Sequence, residues 1–293
     1  MYHDRGTKNQ GFSLFEAQRL LSKCKPLEYE LKKNILITGA GSGIGRDAAF
    51  ALSERGHRVW ATVQSQEQAQ NLQKECAARD LKLDIFKLDI TLESDRKQVL
   101  DLPIDVLINN AGVGESGSLA EVAMARVRRV FEVNLFATLE LTQEVLHGMV
   151  WRERGTVLFV SSIAGRIPVP FLMPYSMSKF ALSAAGAGLR AEMDRLDKNI
   201  HIALIEPGAV HTGFNQAMTD SKYTWMDEHS YFWSLRERLK REEKRSFAFL
   251  EARDTRSVVA QMVKAAEARR PRLRYVAPRF QGWMVRFARM LGV

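Results

Sequence analysis

The sequence TGAGSGIG occupies residues 38–45, directly after the apolar run NILI. Glycines at positions 39, 43 and 45 can form a tight turn, let backbone N–H groups approach a pyrophosphate, and pack a helix closely on a strand. Residues 43–55 have helical spacing, and the N-terminus of a helix stabilises a bound phosphate. This strand–turn–helix pattern predicts a nucleotide-binding turn, although a glycine-rich turn without a ligand has the same local signature.

Short apolar runs and helical patterns alternate over most of the chain. Such repeats form right-handed crossovers and a parallel sheet, and strands that are apolar throughout indicate burial on both faces. The sequence therefore predicts an α/β fold, a single Rossmann-type doubly wound parallel sheet with helices on both faces. Strands are predicted at residues 34–38, 58–63, 83–88, 105–108, 156–160 and 200–205, and helices at 43–55, 66–79, 119–151 and 175–196.

Three further segments flank or interrupt this domain of residues 34–277. Residues 1–33 form a polar extension with one predicted helix at 12–22. Residues 213–250 are helical in pattern and rich in aromatic side chains, and they follow a strand, so we expect a lid over the ligand cleft. That aromatic content favours an apolar substrate, but it is equally typical of side chains that pack a lid on its domain. Residues 278–293 form a predicted basic amphipathic helix.

Composition excludes several classes of protein. The 293 residues are 46% hydrophobic and 26% charged, which rules out a disordered, collagen-like or coiled-coil chain. There is no apolar run of about 18 residues and no secretory signal, so we expect a cytoplasmic protein. The two cysteines, Cys24 and Cys76, form no metal-binding or disulfide pattern, and no histidines are spaced as ligand pairs, so no metal site is expected.

The positive charge is concentrated near the C-terminus. Residues 236–293 contain 16 Lys and Arg against 6 Asp and Glu, whereas the whole chain has a net charge of +9. Apolar residues of the last predicted helix recur at spacings of three and four beside arginines. Such a helix can lie on an anionic membrane, giving a membrane-peripheral protein, or pack on its own domain or another subunit. Nucleic-acid binding is not expected, because no recognised binding module accompanies the charge.

Four polar side chains form a candidate catalytic set. Tyr175 and Lys179 are one helical turn apart and therefore share a face. Ser162 follows a predicted strand, with Ser161 as the alternative, and Asn134 lies in the predicted helix 119–151. A nearby ammonium lowers the pKa of a tyrosine, which makes it a usable proton donor and acceptor.

Together these residues resemble the short-chain dehydrogenase/reductase family over residues 34–212. The resemblance carries TGAGSGIG, NNAG at 109–112, the candidate catalytic set and the Pro207-Gly208 turn, in the family's order. It implies that Tyr175 is the acid/base, that Lys179 lowers its pKa, that Ser162 holds the substrate oxygen and that Asn134 holds a proton-relay water. A weaker resemblance, in RPRLRYVAPRF, is to the retinol and 17β-hydroxysteroid dehydrogenase branch.

The resemblance also implies a nicotinamide cofactor. Asp89 ends a predicted strand, where it could accept a hydrogen bond from an adenine amino group, and Thr212 resembles the contact of the carboxamide. The full predicted set of cofactor-binding residues is Gly39, Ser42, Gly43, Ile44, Gly45, Asp89, Asn110, Ala111, Gly112, Tyr175, Lys179, Pro207, Gly208, Val210 and Thr212.

The choice between the two nicotinamide cofactors rests on the end of the second strand. NAD selection uses a carboxylate there, but no acidic residue follows Val63 until Glu67. Ser42 and Gln64 stand where NADP selection uses a basic residue, and Arg46 is either a phosphate ligand or an exposed helix arginine. NADP(H) is favoured over NAD(H), because nothing there would repel the 2′-phosphate.

We therefore expect an oxidoreductase that interconverts a hydrophobic alcohol and its ketone or aldehyde, of lipid, retinoid or steroid type. Two alternatives remain open: a 3-oxoacyl-thioester reductase, which would use the basic C-terminal face, and a non-catalytic NADP(H)-sensing protein. The resemblance further implies a homodimer or homotetramer, with its interface on helices 119–151 and 175–197.

Overall fold

Seven parallel strands form one sheet in the computed structural model, which describes residues 32–292. The strands are β1 (Asn34–Ile37), β2 (Arg58–Val63), β3 (Asp84–Lys87), β4 (Val106–Asn109), β5 (Arg154–Val160), β6 (Asn199–Pro207) and β7 (Arg274–Ala277). Their order across the sheet is β3-β2-β1-β4-β5-β6-β7. The chain starts near the middle and winds to both edges, which is the doubly wound arrangement. The predicted fold class is confirmed.

Helices connect the strands and cover both faces of the sheet. Among residues 32–292, no helix is both long and apolar enough to cross a membrane. The helix predicted at 12–22 lies outside the described residues. The helices are α1 (Gly43–Glu54), α2 (Gln66–Ala78), α3 (Glu93–Arg96), α4 (Met124–Phe131), α5 (Thr138–Trp151), α6 (Met173–Met193), α7 (Phe214–Asp220), α8 (Arg236–Leu250), α9 (Arg256–Glu267) and α10 (Arg279–Met290).

The alternation of side chains along β1 explains the two-layered core. Ile35 and Ile37 are fully buried in a cluster with residues of α1, α2 and α9. Leu36 points to the opposite face, where it packs in a second cluster with residues of α5 and α6. Successive side chains of a strand lie on opposite faces, so a strand that is apolar at every position requires helices on both sides.

The predicted helix 119–151 is wrong in its start, and it contains a π-helical turn that the sequence does not indicate. Helix α4 begins only at Met124, and a π-helical segment, Glu132–Ala137, separates it from α5. Within that segment the buried side chain of Asn134 accepts a hydrogen bond from Val113 N and donates one to Val113 O, over 2.8 and 2.9 Å. Asn134 thus attaches the π-helical turn to the loop after β4. Single π-helical turns within α-helices occur frequently at functional sites.

The sequence analysis assigns no strand after residue 205, but β7 pairs in parallel with β6. Its four residues stand among arginines and prolines, so the apolar pattern is too short to predict a strand. An ion-pair cluster accompanies this strand. The fully buried carboxylate of Glu206 contacts the guanidinium of Arg274 on β7 and that of Arg166, the latter over 3.5 Å. These two cations compensate a buried charge that would otherwise be costly.

Replacing Arg274 with Met should remove up to about 3 kcal/mol from the free energy of unfolding near neutral pH, because the Glu206 carboxylate then has one cation instead of two. Burial already raises the pKa of Glu206, and the substitution should raise that pKa further. Protonation at lower pH should therefore recover part of the loss. Urea unfolding at neutral and acidic pH measures both effects. The double variant Glu206→Leu/Arg274→Met should be more stable than the single one, and an equal loss in both would contradict this account.

Candidate active site

The turn between β1 and α1 has a backbone that glycine alone adopts without strain. Gly39 and Gly43 have φ angles of 65° and 56°, in the left-handed region. A side chain at Gly39 would also bring its Cβ within 2.8 Å of Ala111 Cα. Ser42 precedes α1 without capping it through its side chain. The first N–H groups of α1 are thus left for an anion, as the sequence predicts for a phosphate.

Asn110, a predicted cofactor contact, supports this turn. Its side-chain amide donates hydrogen bonds to the carbonyl oxygens of Thr38 and Gly39 over 3.0 and 2.9 Å. The Thr38 hydroxyl accepts from the backbone N–H groups of Asn110 and Ala111. A Cβ at Gly45 would run into the Asn110 amide and lie 2.5 Å from the Gly39 carbonyl oxygen. Two loops that are distant in sequence are therefore held together at the carboxyl edge of the sheet.

A cavity of about 1440 Å³ runs along this edge. Its volume exceeds that of a typical small-ligand pocket, which leaves room for an extended nucleotide and a substrate together. It is lined by Ser162 and by all the predicted cofactor-binding residues, namely Gly39, Ser42, Gly43, Ile44, Gly45, Asp89, Asn110, Ala111, Gly112, Tyr175, Lys179, Pro207, Gly208, Val210 and Thr212.

Tyr175, Ser162 and Lys179 meet in the wall of the cavity. The Ser162 hydroxyl lies beside the Tyr175 phenol and donates a hydrogen bond to the backbone carbonyl of Pro207 over 3.3 Å. Burial raises the pKa of Tyr175 to about 12, against a smaller opposing effect of the Ser162 hydroxyl. The Lys179 ammonium donates to Val160 O over 2.9 Å and lies 5.7 Å from the centre of the Tyr175 ring. Burial lowers the pKa of Lys179 to about 8, because the charged form loses water.

The structure also distinguishes the two adjacent serines. The Ser161 hydroxyl lies 2.7 Å from that of Ser183 and donates to Lys179 O, so it points into α6. The Ser162 hydroxyl accepts from Ala164 N and lies beside Tyr175. Ser162, rather than Ser161, therefore faces the cavity position next to the phenol.

Asn134 lies behind the cavity wall and is fully buried. Besides its two bonds to Val113, its amide donates a hydrogen bond to the Ser178 hydroxyl over 3.0 Å. The Ser178 hydroxyl in turn donates to the backbone carbonyl oxygen of Tyr175. The side chain thus connects the loop after β4 to the first turns of α6. Its amide is engaged with the protein, and its role toward a relay water stays a prediction.

The end of the cavity near β2 and β3 is polar. Asp89 accepts hydrogen bonds from Thr91 and from Gln64. Although burial alone would raise it, these bonds hold the pKa of the Asp89 carboxyl below its ordinary value. Gln68, which the sequence analysis did not single out, accepts from Gln64 N and lines the cavity. Arg46 is paired with two carboxylates, that of Asp47 on its own helix and that of Glu75 on α2.

The other end of the cavity has an apolar wall on the lid, although polar lid residues line it as well, namely Asn215, Thr219, Glu242, Glu243 and Ser246. The ring of Phe214 lies 5.8 Å from that of Tyr175, and further lid side chains line the wall. Not every lid aromatic faces the cavity: Phe232 packs edge-on against Phe171, and Trp225 fills the space beside Gly117. The expected lid therefore has both functions, cavity wall and packing. The apolar lining side chains from the lid are Phe214, Ala217, Met218, Leu239, Phe247 and Leu250.

One buried residue escaped the sequence analysis. Gln281 on α10 is 2% exposed, and its amide oxygen accepts from Ala209 N over 2.7 Å. Its amide nitrogen donates to Ala209 O and, over 2.7 Å, to Leu250 O at the end of α8. Gln281 thus attaches the loop after Pro207 to the lid and to the C-terminal helix. A single glutamine in an amphipathic helix carries no signal of such a contact in sequence.

A sequence model described as short chain dehydrogenase matches residues 33–222. The chain belongs to the short-chain dehydrogenase family. The resemblance expected from the motifs is thereby confirmed.

Individual relatives agree with this assignment. Dehydrogenase/reductase SDR family member 7B of Mus musculus is 32% identical over 75% of this chain and 70% of its own length. The 3-ketodihydrosphingosine reductase of Bacteroides thetaiotaomicron is 34% identical over 66% of this chain and 70% of its own length. Among solved structures, an actinorhodin polyketide ketoreductase with NADPH superposes with a TM-score of 0.69, at 25% identity, over 85% of this chain and 96% of that one.

The region matched by the short-chain dehydrogenase model contains all the predicted site residues but ends before α8. The apolar lid side chains on α8 and the attachment through Gln281 therefore lie outside the matched region.

Substituting Gly45 with Ala should weaken NADPH binding by about tenfold or more. The new Cβ would press on the Gly39 carbonyl and the Asn110 amide, and relieving that contact moves the turn. Fluorescence titration with NADPH measures the effect. Gly188→Ala is the matched control, because a Cβ at Gly188 meets nothing within 4 Å, and its affinity should be unchanged. Equal affinities in the two variants would be incompatible with the proposed contact.

Proposed function

We propose that this protein is an NADP(H)-dependent oxidoreductase that interconverts a hydrophobic alcohol and its ketone or aldehyde. One observation carries the proposal: the hydroxyls of Tyr175 and Ser162 lie side by side in the wall of a cavity that also has the glycine turn and an apolar wall on the lid. The buried Lys179 ammonium stands behind it. A carbonyl oxygen placed against the two hydroxyls would receive a proton from one and a hydrogen bond from the other.

The chemistry of these residues suits reduction of a carbonyl. The nicotinamide, when bound, supplies the hydride. Because burial raises the pKa of Tyr175 to about 12 in the protein alone, the phenol carries its proton at neutral pH and can donate it to the substrate oxygen. Ser162 stabilises the negative charge that develops on that oxygen. The positive charge of Lys179 favours the phenolate that remains and so lowers the cost of the transfer.

The reverse reaction uses the same groups with the proton moving from substrate to Tyr175. The nearby Lys179 charge then favours the phenolate as a base.

The apolar end of the cavity supports a hydrophobic substrate. Phe214 lies beside the reactive tyrosine, and Met218, Phe247 and Leu250 continue the wall. An apolar chain or ring system buried against such side chains contributes about 25 cal/mol per Å² of area removed from water.

The polar end supports NADP(H) over NAD(H). Gln64 follows β2 at the position where NAD-selective folds have a carboxylate, and its amide donates to Asp89. Since Arg46 is paired with Asp47 and Glu75, the amides and hydroxyls of Gln64, Gln68 and Ser42 are the groups that would receive a 2′-phosphate. They would bind it by neutral hydrogen bonds, so the expected preference is modest.

Two relatives point the same way. The bacterial relative is named for the reduction of a 3-ketosphingoid, and the ketoreductase structure holds NADPH. Both are reductases, and the name of the first describes a ketone on a long lipid chain.

Tyr175→Phe should lower turnover by about 10²–10⁴-fold, because it removes the proton donor. The assay is NADPH oxidation by the purified protein with apolar ketones, aldehydes, retinal, steroids, a 3-ketosphingoid and 3-oxoacyl thioesters, with NADH run beside it. Ser176→Ala is the matched hydroxyl deletion on the same helix: Ser176 is buried and does not line the cavity, so turnover should persist.

The panel separates the alternatives. Turnover of thioesters that falls steeply with ionic strength, while neutral ketones are inert, would identify an oxoacyl-thioester reductase acting through its basic face. Tight NADPH binding without turnover of any substrate would refute the proposed activity and leave an NADP(H)-sensing protein. Equal turnover by Tyr175→Phe and the wild type would refute the role of Tyr175 as the proton donor.

The pKa of Lys179 gives a pH dependence for nucleotide binding. Burial lowers that pKa to about 8, so the ammonium is charged below pH 8 and loses its charge above it. If Lys179 contacts the nucleotide, the affinity of the protein for NADPH should fall by up to about tenfold per pH unit above pH 8. Titrations from neutral pH upward measure this in the wild type. Lys179→Met should bind more weakly with little change across the same range, and a flat wild-type profile would exclude the contact.

A further inference from the structure

The last helix exposes an apolar stripe to solvent. Six large side chains of α10 and the residue after it lie at spacings of three and four along one side, and each is about half exposed or more. Monomeric soluble proteins rarely leave large contiguous apolar patches uncovered. The stripe consists of Phe280 (48% exposed), Trp283 (68%), Met284 (49%), Phe287 (62%), Met290 (78%) and Leu291 (67%).

The orientation of this stripe is set by the opposite side of the helix. Gln281 and Val285 are buried, at 2% and 3% exposure, and Gln281 is hydrogen-bonded to Ala209 and Leu250. A side chain at Gly282 would come within 2.7 Å of Val276 on β7, so α10 already lies as close to the sheet as it can. The helix makes its protein contacts on this side, so the apolar stripe faces away from the domain.

The charge on α10 has one sign. Arg279, Arg286 and Arg289 are all exposed, and the helix has no acidic residue. Within residues 32–292, no carboxylate forms an ion pair with any of the three, and Arg286 lies over the Trp283 ring at 5.7 Å. After Glu267 the sequence contains seven arginines and no aspartate or glutamate. An exposed tryptophan with flanking arginines is typical of a helix that lies in a lipid interface.

We propose that α10 docks on an anionic lipid surface, with its apolar stripe in the acyl boundary and its arginines at the headgroups. A second copy of the chain is the less suitable occupant. A two-fold contact brings the same patch onto itself, and it would place three unpaired arginines against three others. An anionic bilayer satisfies the stripe and the arginines together.

On the side opposite the stripe, α10 is attached to the cavity wall through Gln281. Leu250, whose carbonyl accepts the hydrogen bond from Gln281, lines the cavity, and its neighbour Phe249 is 81% exposed. Docking through α10 would therefore hold the lid end of the cavity at the lipid interface. A substrate dissolved in the bilayer would then reach the apolar end of the cavity without crossing water, which deepens the proposed function by naming where its substrate is taken up.

The test is co-sedimentation of the purified full chain with vesicles of phosphatidylcholine alone or with added phosphatidylserine. Binding should require phosphatidylserine. Arg286→Gln/Arg289→Gln should weaken it roughly 30-fold, since each basic residue near an anionic surface contributes about a factor of five. Trp283→Ser/Phe287→Ser should weaken it about a hundredfold or more.

Matched controls separate this surface from a general effect. Leu92→Ser/Leu100→Ser removes two exposed apolar side chains elsewhere, at 45% and 50% exposure, and Lys74→Gln/Lys82→Gln removes two exposed charges elsewhere. Both should bind like the wild type. The thermal unfolding midpoint of every variant shows whether it is folded, and this readout is independent of any enzymatic activity.

Two results would overturn the proposal. The first is vesicle binding that is absent in the wild type, or unchanged in both α10 variants. The second is self-association in sedimentation velocity that Trp283→Ser/Phe287→Ser abolishes, without vesicle binding; α10 would then be an interface between copies. If the proposed oxidoreductase activity fails on every substrate but binding behaves as described, the lipid-docking surface stands and only its connection to substrate uptake falls.

Discussion

The whole structure depends on burying a parallel sheet on both faces. Parallel strands that are apolar at every position need helices above and below, and the connections between them must cross from one end of the sheet to the other. Loops after β1, β4, β5 and β6 therefore emerge at the same edge. The glycine turn, the Asn110 brace, Ser162 and the Pro207 loop meet there, although they are far apart in the chain.

Burial also sets the chemistry at that edge. Tyr175 and Lys179 are both nearly inaccessible, so each is pushed toward its neutral form, the phenol upward in pKa and the ammonium downward. Polar groups behind them are hydrogen-bonded within the protein: Asn134 to Val113 and Ser178, and Ser161 to Ser183. A bound nucleotide and substrate would thus meet side chains whose positions are already determined by buried neighbours.

The arginines of the C-terminal fifth of the chain have two different environments, which the net charge of the segment does not distinguish. Arg274 pairs with the buried carboxylate of Glu206 on β6. The arginines of α10 turn outward beside a row of apolar side chains. Gln281 lies between the two and attaches α10 to the lid and to the loop after Pro207. The basic charge alone indicated neither environment, because charge counts carry no information about which side of a helix is covered.

The sequence by itself determined the sheet, the turn and the family, because these depend on local patterns: apolar runs of strand length, glycines at fixed spacing, and Tyr175 and Lys179 on one helical face. It could not place the π-helical turn at Glu132–Ala137, the strand Arg274–Ala277 or the attachment through Gln281. Those depend on partners distant in the chain: Asn134 is hydrogen-bonded to Val113, β7 pairs with β6, and Gln281 is hydrogen-bonded to Ala209 and Leu250. Only tertiary packing decides which of two adjacent serines faces Tyr175. The two serines are consecutive residues at the end of a strand, and consecutive side chains of an extended chain point to opposite sides.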